Sequence, residues 1–557
     1  MNYRIGIAAL WLFALAACST RQALPTLPAA NTQSDTINAD ILTAAFSSDT
    51  PTAYAPLEQL AFETEWHDTA KTAHYQTLRL SEDAAARFPA LAGSLDTLND
   101  DIAALSSRGA ELMGGSEESD TAYEKRGLYV KRADAEVFSL LVGAESCIGS
   151  GRPVTHCESH TYDTASGMPL TITDVLTSTD ELPALLGAKL KARYDGGFLD
   201  DPEETLRTYI TSEDAPLVWT LSGEGITFWF ESGTVASRAD GTLSATVLFS
   251  EAPKLFAERF CTLPDSYVLA LGEGEIETIR PEGVGNALPV SVGRSASAVY
   301  GGSDIWTVRV GDHVLTEELT APCENVTAYV IRENGRQYLL AELRDGAYTA
   351  SLKLYDLTAG IPTVICELPE TGLAFHRTET GLACAVPRTL TSFELSEIVD
   401  LLGTTVGTRT YSLVGGTRLR TDDTTYDLLA FGENGEERTL TTKYELLLPT
   451  CDSASPEQTG EEKVVLSGTR CFYVSADTEG HMVLLLHDGT YVRLDTDAVR
   501  GTLLSETVGG VDAHELFDGI WYRSDEAYAA PETYEPYFTE EPVPEGGTEE
   551  ETAAEEA

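Results

Sequence analysis

The segment His156-Cys157-Glu158-Ser159-His160 holds the densest group of side chains that could do chemistry, and Cys147 lies ten residues before Cys157. Thiolate and imidazole groups at short spacing are ligands that Zn²⁺ prefers in proteins. In an oxidising compartment the same two cysteines more simply form a disulfide that closes a surface hairpin. We therefore predict a Cys147–Cys157 disulfide and no bound metal ion here, with a zinc site as the alternative.

No other pattern in the chain indicates catalysis. The sequence contains no G-x-S-x-G nucleophile elbow, no G-x-x-x-x-G-K-[ST] phosphate loop and no H-E-x-x-H zinc motif. Paired carboxylates such as Asp100-Asp101 are frequent because the whole chain is acidic. We therefore nominate no catalytic residue and no cofactor, and we expect a protein that is not an enzyme.

The N-terminal residues carry a pattern for export and lipid attachment. Arg4 precedes an apolar run from Ile5 to Ala17, which is too short to cross a bilayer comfortably. The run ends in Leu15-Ala16-Ala17-Cys18, which is typical of a bacterial lipobox whose cysteine receives a diacylglycerol. We predict a lipoprotein signal peptide over 1–17, lipidation of Cys18 and a place on the extracytoplasmic face of the cell membrane. The alternative is an ordinary cleaved signal peptide followed by a chance cysteine, and either interpretation predicts export.

Eight cysteines follow Cys18, and an even number suits disulfides in an exported chain. Short separations in sequence favour three of the pairs, and the two cysteines that remain form the fourth. The predicted disulfides are Cys147–Cys157, Cys366–Cys384, Cys451–Cys471 and Cys261–Cys323.

The charge balance limits the kinds of partner. The chain has 37 Lys and Arg against 89 Asp and Glu, which gives a formal net charge of −52 at pH 7. A nucleic acid would be repelled over most of such a surface, so we exclude nucleic-acid binding. A basic protein would be attracted. The alternative is that the acidity only keeps an exported protein soluble.

Periodicity predicts a chain of several domains. Ser81 is a candidate N-cap. The residues Leu95, Leu98, Ile102 and Leu105 share one helical face, and a second amphipathic helix is predicted from Asp180 to Tyr194. Strands are predicted at Gly225–Phe230 and on both sides of the turn Asp488-Gly489. The predicted units are a flexible tether over 18–56, an α+β domain over 57–265, an all-β domain over 291–450 with a partly propeller-like stretch, a polar linker over 451–462, a small SH3-like β domain over 463–523 and a disordered acidic tail over 524–557.

Several blocks within residues 62–260 match a known family pattern. They are Phe88–Leu91, Leu98–Asn99 with Ile102, Tyr162–Asp163, Ser166–Gly167, Leu170–Leu176 and Gly225–Phe230 with Ala236 and Gly241. This third of the chain resembles the RsiV-like and PdaC-like extracytoplasmic domains, a family that includes lysozyme-sensing anti-sigma factors and the non-catalytic part of a peptidoglycan deacetylase. The family's proline- and tyrosine-rich hairpin segment is replaced here by Ser232–Arg238.

The resemblance and the charge together imply a binding role. We expect a lipid-anchored protein that captures lysozyme, another basic protein directed at the cell wall, or a peptidoglycan component. The alternatives are a structural surface lipoprotein and an accessory protein of cell-wall modification without a catalytic site of its own. The candidate binding loops contain Ser232, Gly233, Thr234, Ser237 and Arg238, together with His156 and His160.

Overall fold

The computed structural model of the chain describes residues 54–523 apart from short internal stretches. Those stretches are 71–72, 114–121, 148–153, 195, 213–216, 239–240, 283, 285, 296–303, 320–322, 324, 346–348, 379–381, 432–436, 453–454 and 500–502. The predicted signal peptide, the lipidation site Cys18, nearly all of the tether and the acidic tail over 524–557 lie outside the described residues.

Strands form most of the described structure, and helices are concentrated between residues 82 and 210. The elements of the first part are β1 (Tyr54–Ala55), β2 (Phe62–Ala70), β3 (Ala73–Leu80), α1 (Glu82–Arg87), α2 (Pro89–Met113), β4 (Tyr123–Ala133), β5 (Val137–Cys147), β6 (Val154–Asp163), α3 (Ile172–Val175), α4 (Leu182–Arg193) and α5 (Pro202–Ile210). They are followed by β7 (Val218–Leu221), β8 (Gly225–Phe230), β9 (Leu243–Leu248), a 3₁₀ turn (Glu258–Cys261), β10 (Leu263–Pro264), β11 (Tyr267–Leu271) and β12 (Glu277–Ile279).

Strands dominate the remainder. Its first elements are β13 (Leu288–Ser295), β14 (Ile305–Val310), β15 (His313–Glu318), β16 (Asn325–Glu333), β17 (Arg336–Asp345), β18 (Thr349–Asp356), β19 (Thr363–Pro369), β20 (Thr371–Leu373), β21 (Phe375–Arg377), β22 (Leu382–Ala385) and β23 (Phe393–Leu401). The last are β24 (Thr404–Val414), β25 (Arg418–Arg420), β26 (Thr425–Leu429), β27 (Leu440–Thr442), β28 (Leu446–Asp452), β29 (Ser455–Val465), β30 (Arg470–Asp477), β31 (His481–Leu486), β32 (Tyr491–Asp495), β33 (Leu504–Ser505), β34 (Thr507–Val508), β35 (Val511–Asp512), α6 (Ala513–Leu516) and β36 (Phe517–Asp518).

Local sequence explains the first two helices. Ser81 caps α1, because its hydroxyl accepts a hydrogen bond from the Ala84 amide at 3.4 Å. Pro89 begins α2, where its missing N–H costs nothing. Asn99 on α2 then holds the neighbouring strand, since its amide donates to the Leu78 carbonyl (2.8 Å) and its oxygen accepts from the Leu78 N–H (3.0 Å). The Leu-Asn block of the family pattern therefore has a structural role in this chain.

Long-range pairing joins segments that the sequence analysis assigns to different domains. The seven-stranded sheet has the order β21-β22-β2-β3-β4-β5-β6. Its strands β21 and β22 come from the predicted all-β domain, whereas the other five come from residues 62–163. One apolar cluster likewise extends from Leu60 to Tyr411. It includes Leu95, Leu98 and Ile102 of the predicted helix face, whereas Leu105 is half-buried outside it.

The predicted SH3-like barrel over 463–523 is wrong. Strands β30, β31 and β32 continue one open sheet in the order β20-β23-β24-β26-β30-β31-β32-β28-β29, and no closed barrel occurs in the described residues. The hairpin predicted at Asp488-Gly489 is present, because β31 and β32 pair across it. Residues 455–465 form strand β29 instead of a linker, and the blade-like stretch lies in the five-stranded sheet β11-β16-β17-β18-β19.

A fully buried ammonium lies where four of the sheets meet. Lys131 on β4 is 1 % exposed, and its Nζ lies 2.7 Å from a Glu275 carboxylate oxygen and 3.0 Å from one of Glu277. The same Nζ donates to the Ala270 carbonyl (2.9 Å) and faces the Trp229 ring at 4.8 Å. Burial by itself lowers the pKa of Lys131, but the two carboxylates outweigh it and hold this pKa above its usual value.

None of the helices in the described residues is long and apolar enough to cross a membrane. The longest of them, α2, has one apolar face, which packs against the seven-stranded sheet.

Candidate functional site

The turn after β8 presents the first set of predicted binding residues. Ser232, Gly233 and Thr234 form its tip, where Gly233 adopts φ +87° and the Thr234 amide donates to the Glu231 carbonyl at 3.0 Å. Val235 is buried beneath the tip and its carbonyl accepts from the Leu199 amide at 3.0 Å. The turn is therefore fixed to the segment that leads into α5.

The end of the same turn carries the other two predicted residues. Ser237 is half-buried and its amide donates to the Gly197 carbonyl at 3.3 Å. Arg238 is exposed. Ser237 therefore lies on the side of the turn that faces the α4–α5 connection.

Helix α5 positions a row of polar side chains beside this turn. Asp201 caps the helix by accepting from the Glu203 amide at 2.9 Å, and Pro202 occupies the first turn. Leu206 is buried against α4, while Glu204 and Thr208 share another face because they are four residues apart. The apolar side of α5 thus fixes the helix, and its polar side remains available.

An open cleft of about 580 Å³ separates α5 from the turn. It is lined by Asp200, Glu204, Thr205, Thr208, Tyr209, Ser212 and Thr234. Two carboxylates, four hydroxyls of Thr and Ser, and one phenol converge here, and this lining includes no basic side chain. Such a surface can accept hydrogen bonds and pair with a cationic group.

Strand β6 contributes a second polar surface. His156, Glu158 and His160 point to one side because side chains alternate along a strand. Within this group, His156 Nε2 lies 3.2 Å from a Glu158 carboxylate oxygen. His156 Nδ1 also contacts the carboxylate of Glu231.

Glu231 joins the two regions that were predicted separately. Besides contacting His156, its carboxylate accepts a hydrogen bond from the backbone amide of Cys157 at 3.1 Å. Tyr209 packs edge-on against Phe230 with ring centroids 6.3 Å apart. Burial and the charge of Glu231 both raise the pKa of Tyr209.

Sequence reasoning named Thr234 but missed the other residues that line the cleft. Asp200 and Glu204 are two of many acidic residues in this chain, and no local pattern distinguishes them. The N-cap pattern of Asp201-Pro202 was the available signal for a helix at this point. The position of the turn at Thr234, across the cleft from α5, is set by tertiary contacts.

The predicted Cys147–Cys157 disulfide is not formed. Cys157 lies opposite Gly143, and Cys147 lies opposite Tyr123. The two sulfurs are therefore on strand positions roughly 13 Å apart, beyond the reach of a disulfide. Cys157 faces an apolar cluster with Trp229, on the side away from His156, and no group of three metal-ligating side chains occurs among the described residues.

The other three predicted disulfides are also wrong, because all eight cysteines after Cys18 are free in the described residues and none lies at disulfide distance from another. Cys366 and Cys384 belong to different sheets. Cys451 and Cys471 lie on β28 and β30, which two strands separate. Cys261 lies in the 3₁₀ turn, and Cys323 follows β15.

The pKa values of His156 and His160 should lie on opposite sides of the ordinary histidine value near 6.5. The hydrogen bond with Glu158 and the charge of Glu231 raise the pKa of His156, opposed by burial and by Arg126. Burial lowers the pKa of His160. Because the folded pKa of His156 is raised, its ion pair stabilises the fold fully below pH 6.5 and this stabilisation is lost as pH rises through the folded value.

We expect Glu158→Gln to lower the pKa of His156, as followed by NMR of the imidazole protons. Asp427→Asn, an exposed change on a different sheet, should leave both histidines unaltered. A His156 pKa at or below 6.5 in the unsubstituted protein would contradict this prediction.

Two solved structures are similar to part of the chain. One is a member of the DUF3298 family from Bacteroides fragilis, with 17% sequence identity and a TM-score of 0.25, and the similarity covers 36% of this chain and 96% of that one. The other is a DUF3298 family protein from Pseudomonas aeruginosa, with 12% identity and a TM-score of 0.26, covering 38% of this chain and 97% of that one. No protein-family model and no curated protein matches the sequence.

Proposed function

We propose that this chain is a lipid-anchored extracytoplasmic protein that binds a basic protein directed at the cell wall, with lysozyme as the first candidate. The observation that carries the proposal is the open cleft of about 580 Å³ whose lining contains two carboxylates and no basic side chain. The anchor is the lipid that we predict on Cys18.

Charge supports this choice of partner at two distances. The net charge of −52 attracts a basic protein from solution, with an effect that salt screens beyond about 8–10 Å. At contact, Asp200 and Glu204 can pair with a lysine or arginine side chain that enters the cleft. Tyr209 adds an aromatic surface for the same cation.

The resemblance to the RsiV-like and PdaC-like family supports the same class of function over residues 57–265. Its matching blocks have structural roles where the contacts are described, as for Asn99. The turn Ser232–Arg238 lacks the rigid aromatic side chains that usually anchor an interface. We therefore assign the main contact to the cleft, with the turn as its rim.

The test is calorimetric titration of the mature full-length chain, made soluble by Cys18→Ser, with a c-type lysozyme at low and physiological salt. A basic protein without lysozyme activity, such as cytochrome c, is the reference ligand. We expect saturable one-to-one binding of lysozyme that weakens with salt. Replacing Asp200 with Asn and Glu204 with Gln should weaken it about tenfold, equivalent to about 1.4 kcal/mol.

A matched pair of substitutions controls for net charge. Glu394→Gln and Asp427→Asn remove the same two charges from exposed positions on another sheet and should leave the affinity unchanged. Equal weakening by both pairs, or equal binding of both basic proteins, would reject the cleft as a specific site. Absence of any binding would favour the structural surface lipoprotein.

A further inference from the structure

The hairpin β28–β29 exposes apolar side chains on its outer side. Leu447 and Val464 are direct cross-strand partners, and they are 57 % and 50 % exposed. Leu466 and Tyr444, at the same end of the hairpin, are each 61 % exposed. We call these four residues the hairpin face.

The opposite side of the same hairpin is also apolar. Val465 is 2 % exposed in the core, and Leu446 and Leu448 pack partly against the same cluster. A surface hairpin needs only one apolar side, because alternate residues of a strand point to opposite faces. A group of exposed apolar side chains on the second side is typical of a docking surface.

The chain supplies an occupant of suitable chemistry. Beyond the described residues, Tyr534-Glu535-Pro536-Tyr537-Phe538 places three aromatic side chains within five positions. The rest of 524–557 contains no basic residue and consists mainly of Glu, Pro, Thr, Gly and Ala. This aromatic segment is the strongest apolar feature in that part of the sequence.

Part of the last described segment lies close to the hairpin. Strand β36 pairs with β27, which leads directly into Tyr444. Lys443 Nζ donates to the His514 carbonyl (2.7 Å) and lies 3.0 Å from a carboxylate oxygen of Asp518. Residues 514–518 are therefore held beside the start of the hairpin, whereas Arg523, the last described residue, donates its backbone N–H to the Thr404 hydroxyl at 2.9 Å.

The connecting segment is long enough to reach the hairpin face. Eleven residues from Arg523 to Tyr534 span at most about 36–40 Å when extended. The six residues from Phe517, which pairs with Thr442, to Arg523 cover at most about 20 Å. A tether of this length gives an effective concentration on the order of millimolar, so even a weak contact would be occupied.

We propose that Tyr534–Phe538 docks on the hairpin face of its own chain. The test is limited chymotrypsin digestion of the mature full-length Cys18→Ser protein, with cleavage sites followed by mass spectrometry. Tyr528 lies between the described structure and the proposed segment and serves as the internal reference. We expect cleavage after Tyr534, Tyr537 and Phe538 to be at least tenfold slower than after Tyr528.

Two surface variants decide the outcome. Leu447→Glu with Val464→Glu alters only half-exposed side chains and should make the cleavage rates equal. Val314→Glu with Val364→Glu changes similarly exposed positions on other sheets, 45 % and 46 % exposed, and should preserve the protection. Equal rates in the unsubstituted chain, protection that survives the hairpin variant, or protection that disappears on dilution would overturn the proposal.

Discussion

Replacement of Lys131 with methionine is expected to lower the free energy of unfolding by about 3–5 kcal/mol, because it leaves two carboxylates without their buried counter-charge. Glu277 is 1 % exposed, so water cannot replace the lost ammonium. The Ala270 carbonyl loses its donor at the same time. Equilibrium unfolding in urea, followed by tryptophan fluorescence and circular dichroism, measures this loss.

A second substitution separates charge from packing. Adding Glu277→Gln to Lys131→Met removes one of the unpaired charges and keeps an oxygen that accepts from the Thr227 hydroxyl, so it should restore part of the stability. Lys191→Met is the matched control, since Lys191 pairs with Asp201 at the surface and should cost less than about 1 kcal/mol. A loss below 1 kcal/mol for Lys131→Met would show that the buried pair is dispensable.

Replacement of Gly167 with alanine is expected to cost about 3 kcal/mol. Gly167 has φ +66° in the turn after β6, where L residues are strained. An added Cβ would also lie 2.4 Å from the Ala90 carbonyl oxygen and 2.5 Å from its carbon. Because these are backbone atoms at the start of α2, the turn and the helix must separate.

Gly93 lies on the same helix, and its replacement with alanine should have the opposite effect on stability. A Cβ at Gly93 would meet no heavy atom within 4 Å. Gly93→Ala should therefore stabilise the protein by about 0.5–1 kcal/mol, because alanine loses less backbone freedom in a helix. Both variants are compared with the unsubstituted protein by urea unfolding, and effects of the same sign would contradict the argument.

Features that depend on neighbouring residues were predictable from the sequence. The spacing of Leu95, Leu98, Ile102 and Leu105 predicted one buried helical face. The first three lie in the core, and Leu105 is half-buried. The second predicted helix, from Asp180 to Tyr194, is found at Leu182–Arg193. Turn chemistry at Asp488-Gly489 likewise located the hairpin of β31 and β32. In each case the determining contacts lie within a few turns or one hairpin.

Features that depend on distant residues were not predictable. The buried ion pair of Lys131 could not be predicted, because its partner Glu275 lies 144 positions away. Glu231 gains its role from a strand 74 residues earlier in the chain. The disulfide predictions were wrong for the same reason, since proximity in sequence gave no information on strand register. Most of the candidate cleft belongs to this second class.

The pairing of β2 with β22 has a consequence for biosynthesis. The Thr378 hydroxyl donates to the Glu65 carboxylate at 3.1 Å although the two residues are 313 positions apart. At roughly 5–20 residues per second, Glu65 waits on the order of 15–60 s on the ribosome before Thr378 is made. Throughout that interval one edge of β2 has no partner, and an unpaired edge recruits other strands. A fragment that ends at residue 265 would lack β22 and would therefore keep this edge of β2 unpaired.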